Sequence, residues 1–483
     1  MTPYTIIACI FAYFGLILWI AYLTTRKVKL NLETFFTANH ASKWYVVTFG
    51  MVGVTISGVT LISVPGEVGT KGMTYFQIVL GYFVGYWIIS KILLPLYYQL
   101  KMPSIYTFLS QRFGNKTYLC GASFFLISRF LGTTIRFYLM LKVLDYLAFR
   151  HLQIPFELTA AIAVLFIYLY TVRGGLQTII YTDLIQTVFI LIAVLTVSFS
   201  LIYELQSFSE QINFWNSPYT QIFDWNSKNP SFFFKYFFSG MFITVTMTGL
   251  DQDLMQKNLT CKTLHDAQKN MQVFSFVILI VNFLFVLFGA LLYTYVDLNH
   301  LPLPERTDFL VPELIQNHFS GVVFFLFLIG VIAATYATSD SALAALTTSF
   351  CIDILKINNF QSQSSIQTKN KVFSLLTVLF YISILSTFYI EKYTHSQASV
   401  ISLVLTLAGF SYGPLLGLFA FGLFTNFRVH DTYAMLISLL APCLSLVLYF
   451  IAPLLWNYQF GFEILLINAG ITYLGLRVRA YLQ

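Results

Sequence analysis

The chain has 483 residues, of which 58% are hydrophobic, 18% aromatic and only 10% charged, with a formal net charge of +7. A water-soluble domain of this size could not hide so much apolar surface, so the composition points to an all-α polytopic membrane protein. The basic excess calls for no nucleic acid, because it collects on one side of the apolar segments described next.

Met1-Thr2-Pro3-Tyr4 places no basic residue before the first apolar run, 4–23, whereas Arg26, Lys27 and Lys29 follow it. That order predicts an anchored first span that starts outside, not a cleaved signal peptide. Further stretches able to cross about 30 Å of hydrocarbon occupy 44–64, 74–99, 117–146, 157–172, 178–203, 233–253, 271–296, 321–350, 371–390, 399–424, 433–453 and 463–476, about thirteen spans in all. Threaded alternately, they place Lys43, Lys101, Arg112, Lys116, Arg173, Lys257, Lys262, Lys269, Lys356, Lys369, Lys371, Arg428, Arg477 and Arg479 inside with the first cluster. Lys71, Arg150, Lys228, Lys235, Arg306 and Lys392 fall outside, and the C-terminus is cytoplasmic. This is the asymmetry of the positive-inside rule. Lys91 and Lys142 lie near span ends, where a lysine can snorkel.

The long outward stretches are 204–232 and 297–320, and Pro302, Pro304 and Pro312 in the second predict a short packed cover. No phosphate-binding loop is present, so ATP is not the expected energy source, and no His/Glu metal motif or nucleophile–base pair suggests an enzyme. Cys9, Cys120, Cys261, Cys351 and Cys443 fall in apolar or cytoplasmic segments, which implies no disulfide framework.

Two apolar segments are interrupted. Segment 44–64 carries Gly50, Gly53, Thr55, Ser57, Gly58 and Thr60, and segment 399–424 carries Gly409-Phe410-Ser411-Tyr412-Gly413-Pro414. Unwound backbone at mid-membrane offers carbonyls to a cation. The alternative is close helix packing through small residues, and Gly413 to Gly417 is itself a Gly-x-x-x-Gly.

Asp183 and Asp340 are the acids that cannot be placed outside the hydrocarbon. A charge there costs roughly 3 kcal/mol, so a function is the default explanation, and an acid among hydroxyls and carbonyls suits Na⁺. For Asp183 the alternative is a helix cap beside Thr182. Arg129 and Arg136, seven residues apart, share one helix face. Buried arginines need a counter-anion, supplied either by internal acids or by a solute carboxylate.

Four motifs resemble those of the sodium:solute symporter family. They are Tyr170-Thr171-x-x-Gly174-Gly175-Leu176 with Thr182-Asp183-x-x-Gln186; Pro103-Ser104-x-Tyr106-x-Phe108-Leu109-x-x-Arg112-Phe113-Gly114; Thr248-Gly249-Leu250-Asp251-Gln252-Asp253; and Ala333 to Leu343. The resemblance runs in register from 44 to about 424. It implies a LeuT-type fold with two inverted five-helix repeats, 44–203 and 233–424, joined by an outer loop, 204–232. An extra N-terminal span, 1–30, and two C-terminal spans, 433–483, flank them.

The resemblance also implies a conserved sodium site with backbone carbonyls of Gly53, Ile56 and Ala334 and side-chain oxygens at 337 and Thr338. Position 337 is Ala337 here, so one expected hydroxyl is missing. In sialic acid transporters of the family a second sodium site maps to Asp183, 337, Asp340 and Ser341. Their substrate contacts map to Ser57, Thr60 and a span-four arginine, for which Arg129 is the preferred residue and Arg136 a further substrate-binding candidate; Gln77, after Tyr75 and Phe76, is another.

The implied activity is Na⁺-coupled import of a small organic solute across the inner or plasma membrane, preferably an anionic sugar such as sialic acid. A neutral sugar, a monocarboxylate or an amino acid is the alternative. An uncoupled facilitator or transporter-like sensor is another, for which Ala337 argues. The expected partners are the solute, Na⁺ and the bilayer, and no obligatory protein partner is evident.

Overall fold

The computed structural model describes residues 3–26, 32–100, 104–206, 214–357, 362–394, 400–456 and 458–482. Lys27, Lys29, Lys101 and Pro103, and part of the outer loop, lie outside the described residues. The helices are α1 (Pro3–Thr25), α2 (Leu32–Thr37), α3 (Trp44–Thr55), α4 (Gly58–Lys71), α5 (Tyr75–Ile88), α6 (Leu94–Leu100), α7 (Thr107–Arg112), α8 (Asn115–Leu144) and α9 (Phe156–Gln206). They continue with α10 (Phe233–Thr244), α11 (Gln252–Asn258), α12 (Leu264–Leu298), α13 (Leu310–His318), α14 (Gly321–Ser349), α15 (Gln363–Thr394), α16 (Val400–Phe424), α17 (Asp431–Trp456) and α18 (Ile464–Tyr481). Each expected apolar segment overlaps helix among the described residues. Nine helical stretches among the described residues are long and apolar enough to cross a bilayer, and Trp44–Thr55 and Phe156–Val172 are shorter apolar helices.

The helices bend where the sequence removes support. Between α3 and α4, Ile56 and Ser57 leave the helical region, with Ser57 extended at φ −70°, ψ 165°. A second break, not expected from the sequence, separates α10 from α11: a π turn over Val245–Gly249 runs into Leu250 and an extended Asp251. Gly175 turns the chain inside α9 at φ +52°, where a side chain would be strained and would collide with Phe35.

Segment 399–424 corrects the expectation of unwinding. It is one unbroken helix, α16, whose small residues seat α18: a side chain at Gly413 would strike Asn468, and one at Gly417 would strike Thr472. Pro414 has no N–H to give the carbonyl of Phe410. Asn468 Nδ2 donates to that carbonyl instead, at 2.8 Å, and to Gly409 O at 3.2 Å.

The 297–320 stretch forms the cover its prolines suggested. Its helix α13 is largely buried, and Ser63 of α4 donates to Asp308 at 2.5 Å. Arg306 pairs with Asp308 at 3.6 Å and with Glu391 of α15.

Replacing Asn468 with Leu leaves the Phe410 carbonyl unsatisfied in an apolar setting, a loss of about 1–3 kcal/mol. We expect Asn468→Leu to lower the melting temperature of detergent-purified protein. An unchanged melting curve would show that the proline's free carbonyl needs no partner.

Candidate functional site

The breaks in the α3–α4 and α10–α11 spans flank a cavity of about 100 Å³. Its polar wall includes Ser57 and Thr60 at the start of α4, Tyr82 of α5, Asn282 of α12, and Arg129 and Arg136 of α8. Ser57 and Thr60, two of the expected substrate contacts, line this cavity. Gln77 does not: it is fully buried, donates to Ser231 O at 2.9 Å and accepts from the Asp224 N–H at 3.2 Å. That pattern ties α5 to the outer loop, and Gln77 is absent from the cavity lining.

The two arginines differ in their partners. Arg129 is 6% exposed and is held by an ion pair to Asp253 and by Asp251 Oδ2 at 3.7 Å, while Tyr412 OH donates to the same Asp251 oxygen at 2.5 Å. Both acids come from the turn into α11, an arrangement that spacing along the chain could not show. No carboxylate lies within ion-pair distance of Arg136 among the described residues, although it lines the cavity with Arg129. A guanidinium keeps its charge, so Arg136 presents the cavity with a positive charge lacking an internal partner.

Behind the cavity, α3, α9 and α14 pack together. Ala334, Ala337 and Thr338 fall on one face of α14 by their i, i+3, i+4 spacing, and all are buried. Gly53 packs without space for a side chain against Thr187 Oγ1 and the Asp183 carbonyl, and Ile56 sits at the break. This brings the elements carrying the expected sodium ligands side by side. Neutral hydroxyls and carbonyls of this kind are ligands that suit a hard, singly charged ion.

The expected second site is rearranged. Asp183 is fully buried inside α9, not a helix cap, and its Oδ2 lies 2.6 Å from Lys257 Nζ, itself fully buried. Lys257, expected in an inner loop, is instead buried within the protein on α11. Ser341 donates its hydroxyl to Asp253. Asp340 accepts from Tyr170 OH at 2.8 Å and from the Ser341 N–H at 2.6 Å, and it lies within electrostatic reach of Asp183 and Lys257. Charge alone assigns Lys257 to the inner surface; it lies on a seven-residue helix buried on every side, which has no periodic signal to reveal it.

Broken helices enclosing a polar cavity beside buried acids define a membrane transporter, not an enzyme. The sequence matches the sodium:solute symporter family over residues 35–440, and the chain belongs to that family. Its fold is LeuT-type. It is similar to the sodium/sialic acid symporter NanT of Aliivibrio fischeri, 24% identical over 433 residues covering 86% of this chain and 82% of the relative. It is also similar to the sodium-coupled monocarboxylate transporter 1 of Mus musculus, 23% identical over 404 residues, covering 79% of this chain and 62% of that longer protein. A solved structure of a Na⁺-coupled sialic acid symporter, substrate-bound and outward-open, superposes with a TM-score of 0.79 at 19% identity, covering 99% of this chain and 98% of the other. A nucleobase-cation-symport-1 family transporter superposes at 0.58 and 13% identity, covering 92% and 94%.

Removing one partner of a buried ion pair strands a charge, at a cost of about 3–5 kcal/mol, whereas replacing both with apolar residues is nearly neutral. We expect Lys257→Met to lose most folded protein, and Asp183→Leu with Lys257→Met to recover it by size-exclusion chromatography and thermal unfolding. A single variant as stable as the parent would show that the pair is not charged.

Proposed function

We propose that this protein imports a small organic anion together with Na⁺ across the inner or plasma membrane, with its N-terminus outside, its C-terminus in the cytoplasm and its inverted repeats over 44–203 and 233–424. The observation that carries the reading is Arg136, a guanidinium without an ion-pair partner in a cavity bordered by an unwound helix. A carboxylate on the solute supplies its missing partner, and Ser57 and Thr60 offer hydroxyls to the same molecule. An anionic sugar such as sialic acid is the preferred solute, supported by the sialic acid symporters among the relatives. A monocarboxylate is the second reading, favoured by the cavity of about 100 Å³, which is small beside the roughly 300 Å³ or more of pockets that enclose larger ligands. Uptake of labelled sialic acid and of labelled lactate into proteoliposomes, with Na⁺ or K⁺ outside, tests both; accumulation of neither under a sodium gradient would overturn the reading.

The sodium site proposed here uses the carbonyls of Gly53, Ile56 and Ala334 with Thr338 as the side-chain ligand. Thr338→Val should raise the Na⁺ concentration for half-maximal uptake roughly fivefold, equivalent to about 1 kcal/mol of lost cation binding, with little loss of folded protein. Unchanged sodium dependence would remove the assignment.

The two arginines should separate in their effects. Because Lys cannot reproduce a bidentate guanidinium–carboxylate pair, Arg136→Lys should weaken solute binding by roughly tenfold or more and leave Na⁺ binding in place. Arg129→Lys should chiefly lower thermal stability. The reverse pattern would return the solute role to Arg129.

A further inference from the structure

Where the ends of α16 and α18 and the start of α17 meet α7 and α8, basic side chains gather with few acids to answer them. The sequence has no Asp or Glu between Glu391 and Asp431 or between Glu463 and Gln483, yet Arg428, Arg477 and Arg479 fall in those stretches. Asp431 packs here, but both its carboxylate oxygens are committed to the start of α8. They accept from the N–H groups of Lys116 and Thr117, each at 2.8 Å, and from the Thr117 hydroxyl at 2.7 Å.

Two of the neighbouring cations have local roles. Arg112 donates to the carbonyls of Gly422, Thr425 and Phe427 at the end of α16, at 3.2, 2.8 and 2.7 Å, and Lys116 Nζ donates to Thr432 Oγ1 at 2.8 Å. Arg428, Arg477 and Arg479 differ: none has a carboxylate within ion-pair distance among the described residues. Arg428 is exposed and close enough to Arg112 for the two charges to repel. Arg477 is exposed beside the neutral hydroxyls of Tyr473 and Tyr481. Arg479 lies over the Tyr433 ring at 3.9 Å, and its Nε is buried without a hydrogen-bond partner. Phe427 meets Tyr481 at 5.3 Å between ring centroids, which joins the turn carrying Arg428 to the end of α18 carrying the other two.

The surroundings are apolar. Phe424, Leu474, Val478 and Leu482 are each more than half exposed. In a membrane-spanning bundle such side chains face acyl chains, and arginines at the helix ends reach the headgroup layer. A guanidinium grips phosphate oxygens in a bidentate fashion. A headgroup with net negative charge relieves the three uncompensated cations, whereas a choline headgroup brings a cation of its own.

We propose that Arg428, Arg477 and Arg479 form a binding site for the phosphate of an anionic phospholipid, which ties the turn between α16 and α17 to the end of α18. The site requires only that this end of the bundle meets a headgroup layer; in the orientation proposed above, that layer is the cytoplasmic leaflet.

Native mass spectrometry of the detergent-purified full-length protein, titrated with phosphatidylglycerol or phosphatidylcholine, tests the site without requiring transport. We expect phosphatidylglycerol to bind about tenfold or more tightly than phosphatidylcholine. Arg428→Gln with Arg477→Gln should lower phosphatidylglycerol affinity by about tenfold or more, with an unchanged melting curve in the absence of lipid. The single Arg428→Gln variant gives the same reading, at a loss of about fivefold, if the pair folds poorly. Lys262→Gln with Lys371→Gln removes two exposed cations expected on the same side of the membrane and should leave the affinity as in the parent. Equal binding of the two lipids, or parental affinity in the Arg428 and Arg477 variants, would overturn the proposal. An equal loss in the Lys262 and Lys371 variant would also overturn it, because a diffuse positive field would then suffice. So would displacement of the lipid by millimolar inorganic phosphate, the mark of a site for the free ion.

Discussion

Charge balance inside a low-dielectric slab governs this structure. The turn into α11 and that helix carry Asp251, Asp253 and Lys257, all essentially inaccessible to solvent, and each meets an opposite charge on a different element. Asp251 and Asp253 meet Arg129 of α8, and Lys257 meets Asp183 of α9. A seven-residue helix has little intrinsic stability. Its position is set by these ion pairs and by hydrogen bonds such as those from Tyr97 OH to Gly249 O at 2.8 Å and Tyr106 OH to Leu250 O at 3.0 Å. Moving α11 would require these partners to move together or be replaced by water and ions.

The same constraint explains why the solute and ion regions are neighbours. Asp253 accepts from Arg129, which lines the cavity, and from Ser341 on the helix that carries Thr338 and Asp340. One carboxylate thus holds the cavity wall and α14 in a fixed relation. With the cation and solute sites proposed above, a cation on α14 and an anion on α8 would act on opposite ends of this link, a physical route for each to favour the other's binding.

Much of this was legible in the sequence because it depends on local pattern. Apolar length found the nine helical stretches, among the described residues, that are long and apolar enough to cross a bilayer, and Gly53, Ser57 and Gly58 marked the first break. The glycines of 399–424 carried the same signal for a different reason: they accommodate α18, and only the partner Asn468 tells packing from unwinding. The break before α11 carried little glycine signal, since Leu250 and Asp251 need no positive φ. The arginines show the limit most plainly. Their seven-residue spacing put both on one face, but which of them is neutralised depends on acids more than a hundred residues away in the chain, at Asp251 and Asp253. Lys257 was misplaced for a related reason, since counting charges by side of the membrane cannot see a short helix folded back into the core.

A second cation also has an energetic rationale that follows from the charge of the solute. One Na⁺ entering with a monovalent anion moves no net charge, so the membrane potential contributes nothing, and a tenfold sodium gradient supplies only about 1.4 kcal/mol, a tenfold accumulation. Each additional Na⁺ adds about 2.3 kcal/mol at 100 mV on top of that chemical contribution. Two sodium ions would therefore raise the limiting accumulation by several hundredfold. A neutral or zwitterionic solute would gain the potential from the first ion alone. The anion that Arg136 would attract is thus a cargo whose import with a single sodium leaves the membrane potential unused, and a second sodium would bring that potential into play.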